Sequence, residues 1–177
     1  IGFTLYTEML EQAVQAIRAG RQPELDRPLD HGTEVDLHIP ALLPGDYLPD
    51  VHVRLMQYKR IASAASVDEL RDLKVEMIDR FGLLPDAAKT LFDVTELKLH
   101  AQPYGIRKIE AGPAGGKFHF DAEPKFDPVR MITLIQTQPE VFKLDGSTRL
   151  RFVADLEDPE TRVAGVRALL DQLLGIQ

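Results

Sequence analysis

The apolar pattern of this chain changes period after Pro103 and Gly105, from the three-and-four spacing of helices to the two-residue alternation of strands. Upstream, Val51, Leu55, Tyr58 and Ala62 mark the buried side of a helix capped by Asp50 and running to about Ala65. Leu70, Leu73, Met77 and Phe81 mark a second, opened by the S-x-x-E capping box of Ser66 to Glu69 and closed by Gly82. A third, from Asp86 to about Gln102, carries Ala88, Leu91, Phe92, Thr95 and Leu99 on one side and Val94 and Leu97 on others, which predicts a central position. Downstream, GIRKIEAGPAGGKFHFD reads as two strands joined by a Gly/Pro turn, with Phe118 and Phe120 inward.

Asp127-Pro128 and Asp158-Pro159 each pair a cap with a proline at the first helical position. They predict a helix to about Gln138 and a last helix carrying Val163, Val166, Leu169, Leu170 and Leu173. Strands are expected near Val141 to Leu144 and Arg149 to Val153, and TEVDLHI, Thr33 to Ile39, alternates as a half-buried strand. Helices and strands mix without βαβ alternation, so the expected class is α+β: a compact domain of about five helices and a small, mostly antiparallel sheet.

Ahead of that domain, Phe3, Tyr6, Leu10, Ala13 and Ile17 form one helical stripe ended by Gly20. Residues 20–32, with two prolines, two glycines and alternating charge, read as a linker. The expected organisation is a helix over 1–20, a linker over 21–32 and a domain over 33–177. Because the chain begins with Ile1, it is expected to be a piece of something longer.

The chain has no cysteine, which removes disulfides, thiolate metal sites and a cysteine nucleophile. No apolar run approaches the roughly 18 residues of a membrane span, and with no export signal a cytoplasmic location is expected. The net charge of −7 disfavours nucleic acid as a main ligand, since phosphate contacts need concentrated Lys and Arg.

Candidate chemistry is sparse. AGPAGGK falls short of a phosphate loop: Gly112 lies only four residues before Gly116, Phe118 stands where Ser or Thr is needed, and a strand follows. Glu34, Asp36 and His38 share one face of the first expected strand, but alternation alone produces that pattern, and no other histidine spacing suggests a metal. No G-x-S-x-G elbow and no paired carboxylates in an apolar setting occur. The chain is therefore expected to be non-catalytic, with no cofactor.

What remains is surface. On the helix from Ser66 to Phe81, Glu69, Asp72, Glu76 and Asp79 recur at spacings of three and four. Asp72–Glu76 and Glu76–Asp79 are like-charge neighbours, each costing a few tenths of a kcal/mol, and only Glu76–Arg80 is a favourable i,i+4 pair. Asp79 also sits at the helix C-terminus, where the macrodipole disfavours it. Either this is a solvated acidic face, or a cationic partner relieves the repulsion. Lys143, Arg149 and Arg151 lie outward on the last two strands, where edge cations ordinarily block aggregation.

Several stretches are specific enough to name a family. EVDLHIPALLPGDYLPDVHVRLMQYKRIASA, ELRDLKVEMIDRFGLLPDAAKTLF, YGIRKIEAGPAGGKFHF and KLDGSTRLRF resemble the C-terminal domain of bacterial transcription-repair coupling factors, the Mfd family. The resemblance spans about Thr33 to Leu174, and the first helix resembles the one that ends the motor module in that family. It implies a parent that is an ATP-driven translocase on double-stranded DNA, with ATP and Mg held upstream, which acts on stalled RNA polymerase and recruits UvrA. It further implies that this domain docks on the parent's N-terminal UvrB-like module, masking the UvrA surface and restraining the motor until stalled polymerase is engaged. The docking residues carry over to Glu76, Asp79 and Arg80, with Asp72 beside them. The alternatives are a module that contacts DNA or polymerase directly, through Lys143, Arg149 and Arg151, and a passive bracing domain.

Overall fold

Five helices and a five-stranded sheet form within the computed structural model, which describes Leu10 and residues 32–176. The helix expected over 3–19 and the linker over 21–32 lie outside the described residues, apart from Leu10 and Gly32. The elements are β1 (Glu34–Asp36), α1 (Val51–Ala62), α2 (Val67–Phe81), α3 (Asp86–Ala101), a 3-10 turn (Gln102–Tyr104), β2 (Ile106–Gly112), β3 (Gly115–Phe120), α4 (Pro128–Thr137), β4 (Phe142–Leu144), β5 (Arg149–Val153) and α5 (Pro159–Leu174). They fall into two compact units: one holds residues 40–96, the other residues 32–39 and 97 onward. This is the expected α+β class.

In the first unit α1 and α2 start where the sequence places a cap. The Asp50 carboxylate accepts from the backbone N–H groups of His52 and Val53, and Ser66 Oγ accepts from Glu69 N at 3.1 Å. Glu69 reaches back to the N–H of Ala65 rather than of Ser66, closing the box one residue early. Ser66 must be extended to cap α2, so residues 63–65 become a connector and α1 stops at Ala62, not at Ala65. The buried side of α1 also differs from the expected stripe. Val51 is 53% exposed, whereas Gln57, Tyr58 and Ile61 are buried.

Tyr58 explains the rotation. Its hydroxyl accepts the N–H of Leu43 at 2.6 Å and so pulls that face of α1 onto the proline-rich connector. Leu43 is almost fully buried, so Tyr58→Phe strands its N–H. The expected cost is about 1–3 kcal/mol, read as a fall in the urea midpoint at unchanged slope.

In the second unit the strand order is β1-β2-β3-β5-β4, antiparallel except for the parallel pair β1–β2. Val35, Ile109, Phe118 and Leu150 stand in one register row, with Phe118 stacked against Phe152 at 4.6 Å between ring centroids. Phe118, Phe120, Leu150 and Phe152 are buried with Val166, Leu170 and Leu173 of α5, as the two periodicities require. The glycine cluster is a hairpin turn at Pro113-Ala114. Both turn carbonyls accept backbone N–H groups, from Leu156 and Ala154. A Cβ on Gly116 would lie 1.9 Å from Glu110 O, so glycine is needed there for strand approach.

β1 is shorter than the expected strand over Thr33 to Ile39. His38 adopts φ 54°, and its backbone N–H turns onto the Asp36 carboxylate, which ends pairing at Asp36. Glu34, Asp36 and His38 therefore do not share one strand face. Among the described residues no group of three or more His, Asp or Glu is placed to hold a metal, and no helix is long and apolar enough to cross a membrane.

Candidate docking surface

The two ends of α2 are tied down differently. Leu70, Leu73 and Met77 bury its inner stripe, each contributing about 1.5–3 kcal/mol by removal from water, while Phe81 is only half-buried. Gly82 terminates it at φ 93°, a conformation other residues adopt only under strain. The Tyr47 hydroxyl then donates to Gly82 O at 2.9 Å, and the Tyr47 ring meets Phe81 edge-on. The end of the helix is thus pinned from both the backbone and the ring side.

On the outer face, Glu76 is paired with Arg60 of α1, not with Arg80 as helical spacing suggested. Arg80 instead lays its guanidinium over the Phe81 ring, 4.8 Å from the centroid. The like-charge repulsion around Glu76 is therefore partly relieved within the first unit. Asp72 and Asp79 remain exposed, with no cation paired to either among the described residues. Arg60, Ser63, Glu69, Asp72, Leu73 and Glu76 line a shallow cleft of ≈ 450 Å³ between α1 and α2.

Two contributors escaped the sequence reading. Arg60 was absent because its contact is tertiary. Leu83 is 85% exposed while its neighbour Leu84 is buried, and nothing in G-L-L-P says which leucine turns outward. Leu83 stands directly beyond the pinned end of α2, beside Asp79 and Arg80 in sequence. The surface therefore combines unpaired carboxylates, a stacked guanidinium and two bare apolar side chains, Leu83 and Val75.

Residues 37–131 match the family model described as the TRCF domain. The chain belongs to the TRCF domain family. This TRCF domain chain is 50% identical over 173 residues to the transcription-repair-coupling factor of Escherichia coli, covering 98% of this chain and 15% of that protein. It is 48% identical to the transcription-repair-coupling factor of Haemophilus influenzae, covering 96% of this chain and again 15% of the relative. A crystal structure of the C-terminal domain of transcription-repair coupling factor superimposes with a TM-score of 0.66 at 20% identity, over 81% of this chain and 92% of the other. The TRCF fold is thus shared with that domain, and the chain spans about 15% of the length of these curated relatives.

Proposed function

We propose that this TRCF domain is a non-catalytic regulatory domain of a DNA translocase that couples transcription to repair. It docks through the outer face of α2 on the N-terminal UvrB-like module of its own chain. Docking masks the surface used by UvrA and restrains the motor until stalled RNA polymerase is engaged. ATP and Mg belong to a motor upstream in the parent, and the regulatory domain extends over 33–177. The setting is cytoplasmic.

The observation that carries this reading is the pinned end of α2. Asp79, the Arg80 guanidinium held over Phe81, and the bare Leu83 side chain are presented on backbone fixed by the Tyr47–Gly82 hydrogen bond. Preorganised side chains lose little freedom on binding, which suits a contact that must form and release. Glu76 and Asp72 extend the same helix face as carboxylates for cations of the partner.

Calorimetry of this chain against the isolated UvrB-like module of its parent tests the proposal, with Asp79→Ala alongside. Saturable heat that weakens in the variant is the expected result. A tether between the two pieces raises the effective concentration to the millimolar range, so a weak contact would still register. Absence of binding in the tethered form leaves a bracing domain or a module that contacts DNA or polymerase directly.

A further inference from the structure

The outer face of the sheet in the second unit carries a charge gradient. One register row runs Asp36, Glu110, Lys117, Arg151, Lys143 across β1, β2, β3, β5 and β4. Neighbouring strands lie about 4.7–4.9 Å apart, so the last three members are cations directly opposed on adjacent strands, an arrangement that costs stability unless an anion intervenes. One anion is present. Asp145 lies 2.9 Å from Lys117 Nζ and 3.8 Å from Arg149 Nε, and hydrogen bonding to Lys117, with the nearby charge of Arg149, holds its carboxyl below the usual carboxylate range. Asp145 shows that these cations accept a carboxylate, and it satisfies the Lys117 end of the row. Arg151 and Lys143 have no ion-pair partner among the described residues.

Apolar side chains accompany the two unpaired cations. Val153, 53% exposed, shares the face of Arg149 and Arg151, whereas Leu144, 51% exposed, stands in register with buried Leu150 on the opposite face of the edge strand β4. We propose that the edge strand β4, with the outer face of β5, forms a docking surface for an acidic, extended polypeptide segment, whose carboxylates pair with Arg151 and Lys143 on the outer face and whose alternate apolar side chains cover Leu144 on the other. A strand added along β4 would continue the row with a carboxylate opposite Lys143, the cross-strand pairing that the row lacks. Nucleic acid fits less well. Two unpaired cations compare poorly with the six to ten phosphate contacts made by strongly salt-dependent binders, the one ring on this face among the described residues, His119, is held by Glu110, and a phosphate backbone offers Leu144 and Val153 nothing. This surface is separate from the α2 face and does not depend on it.

The test is fluorescence anisotropy of the chain with a labelled octapeptide alternating Glu with Leu and Thr, beside its Lys-for-Glu counterpart and a short DNA duplex. The Glu peptide is expected to bind with a Kd of about 10–100 µM at low salt. The Lys peptide should not bind, and Lys143→Gln with Arg151→Gln should weaken the Glu peptide by about tenfold or more. Both replaced side chains point to solvent, and an unchanged circular dichroism spectrum confirms folding. Should the double variant fail to fold, loss of wild-type binding at high salt tests the same charge dependence. Tighter binding of the duplex, lost in the same variant, would assign the face to nucleic acid. Peptide affinity indifferent to the substitutions and to salt, or no peptide binding, would make it a solvated face.

Discussion

Arg162→Ala is expected to lower the stability of the domain by about 3–5 kcal/mol, the largest effect of any single substitution proposed for this chain. Arg162 is 4% exposed, and its guanidinium spends its donors on backbone carbonyls: Nε on Leu156 O at 2.7 Å, Nη1 on Leu37 O at 3.0 Å and Nη2 on Glu157 O at 3.1 Å. Alanine leaves these carbonyls unpaired, two of the three bonds being fully buried, at about 1–3 kcal/mol for each buried group, and opens a cavity besides. Lysine should rescue little, because an ammonium lacks the planar fork that reaches three acceptors at once. Methionine should recover the packing but not the hydrogen bonds. Denaturant unfolding of the three variants gives the order Met above Ala with both well below the native protein; a loss under about 1 kcal/mol in Arg162→Ala would contradict the role assigned to the clamp.

The second large effect is functional. In the full-length parent, Glu76→Ala or Arg80→Ala is expected to raise ATPase activity and UvrA binding together, because the proposed docked state would hold both down. Truncating one member of a desolvated charged contact costs about 2–5 kcal/mol. A resting state only a few kcal/mol ahead of its released form is then largely opened, which corresponds to about tenfold or more in UvrA affinity. The Arg60–Glu76 pair supplies an internal control. Both side chains are about two-fifths exposed, so the pair itself is worth only about 0–1 kcal/mol. Arg60→Ala breaks that pair yet keeps the Glu76 carboxylate for the partner, so ATPase and UvrA binding should stay at the resting level or fall below it. Activation by Arg60→Ala equal to that by Glu76→Ala would mean that the ion pair, not the carboxylate, is what matters. Unchanged values in the folded Glu76 and Arg80 variants would refute the docked state.

Local chemistry was the part of this fold most open to reading. Asp50, Ser66, Asp127 and Asp158 each cap the helix their spacing announced, since a cap is decided within three residues. The alternation around Phe118 and Phe120, and around Leu150 and Phe152, likewise survives because one sheet face is buried. Tertiary contacts overruled what remained. The buried face of α1 turned toward Leu43, β1 was cut short by the turn at His38, and Glu76 found Arg60 rather than Arg80. Arg162 was invisible for a related reason. It lies beside the apolar stripe of α5 but is buried against carbonyls of the loop just ahead of that helix and of Leu37, far away in the chain. At the candidate surface, the carboxylates could be read from their spacing, whereas Leu83 could not, because its direction is set by Gly82 and Tyr47.

The shortness and placement of β1 carry a consequence for synthesis on the ribosome. Leu37, next to the end of this strand, is bonded to a residue 125 positions later. At about 5–20 residues per second, Arg162 is made about 6–25 s after Leu37. Through that interval the nascent strand has no clamp, and for the first part of it no β2 to pair with. Three paired residues ended by a sharp turn expose few backbone groups to a neighbouring nascent chain. Brevity that weakens β1 in the finished sheet thus lowers its risk of pairing wrongly while it waits.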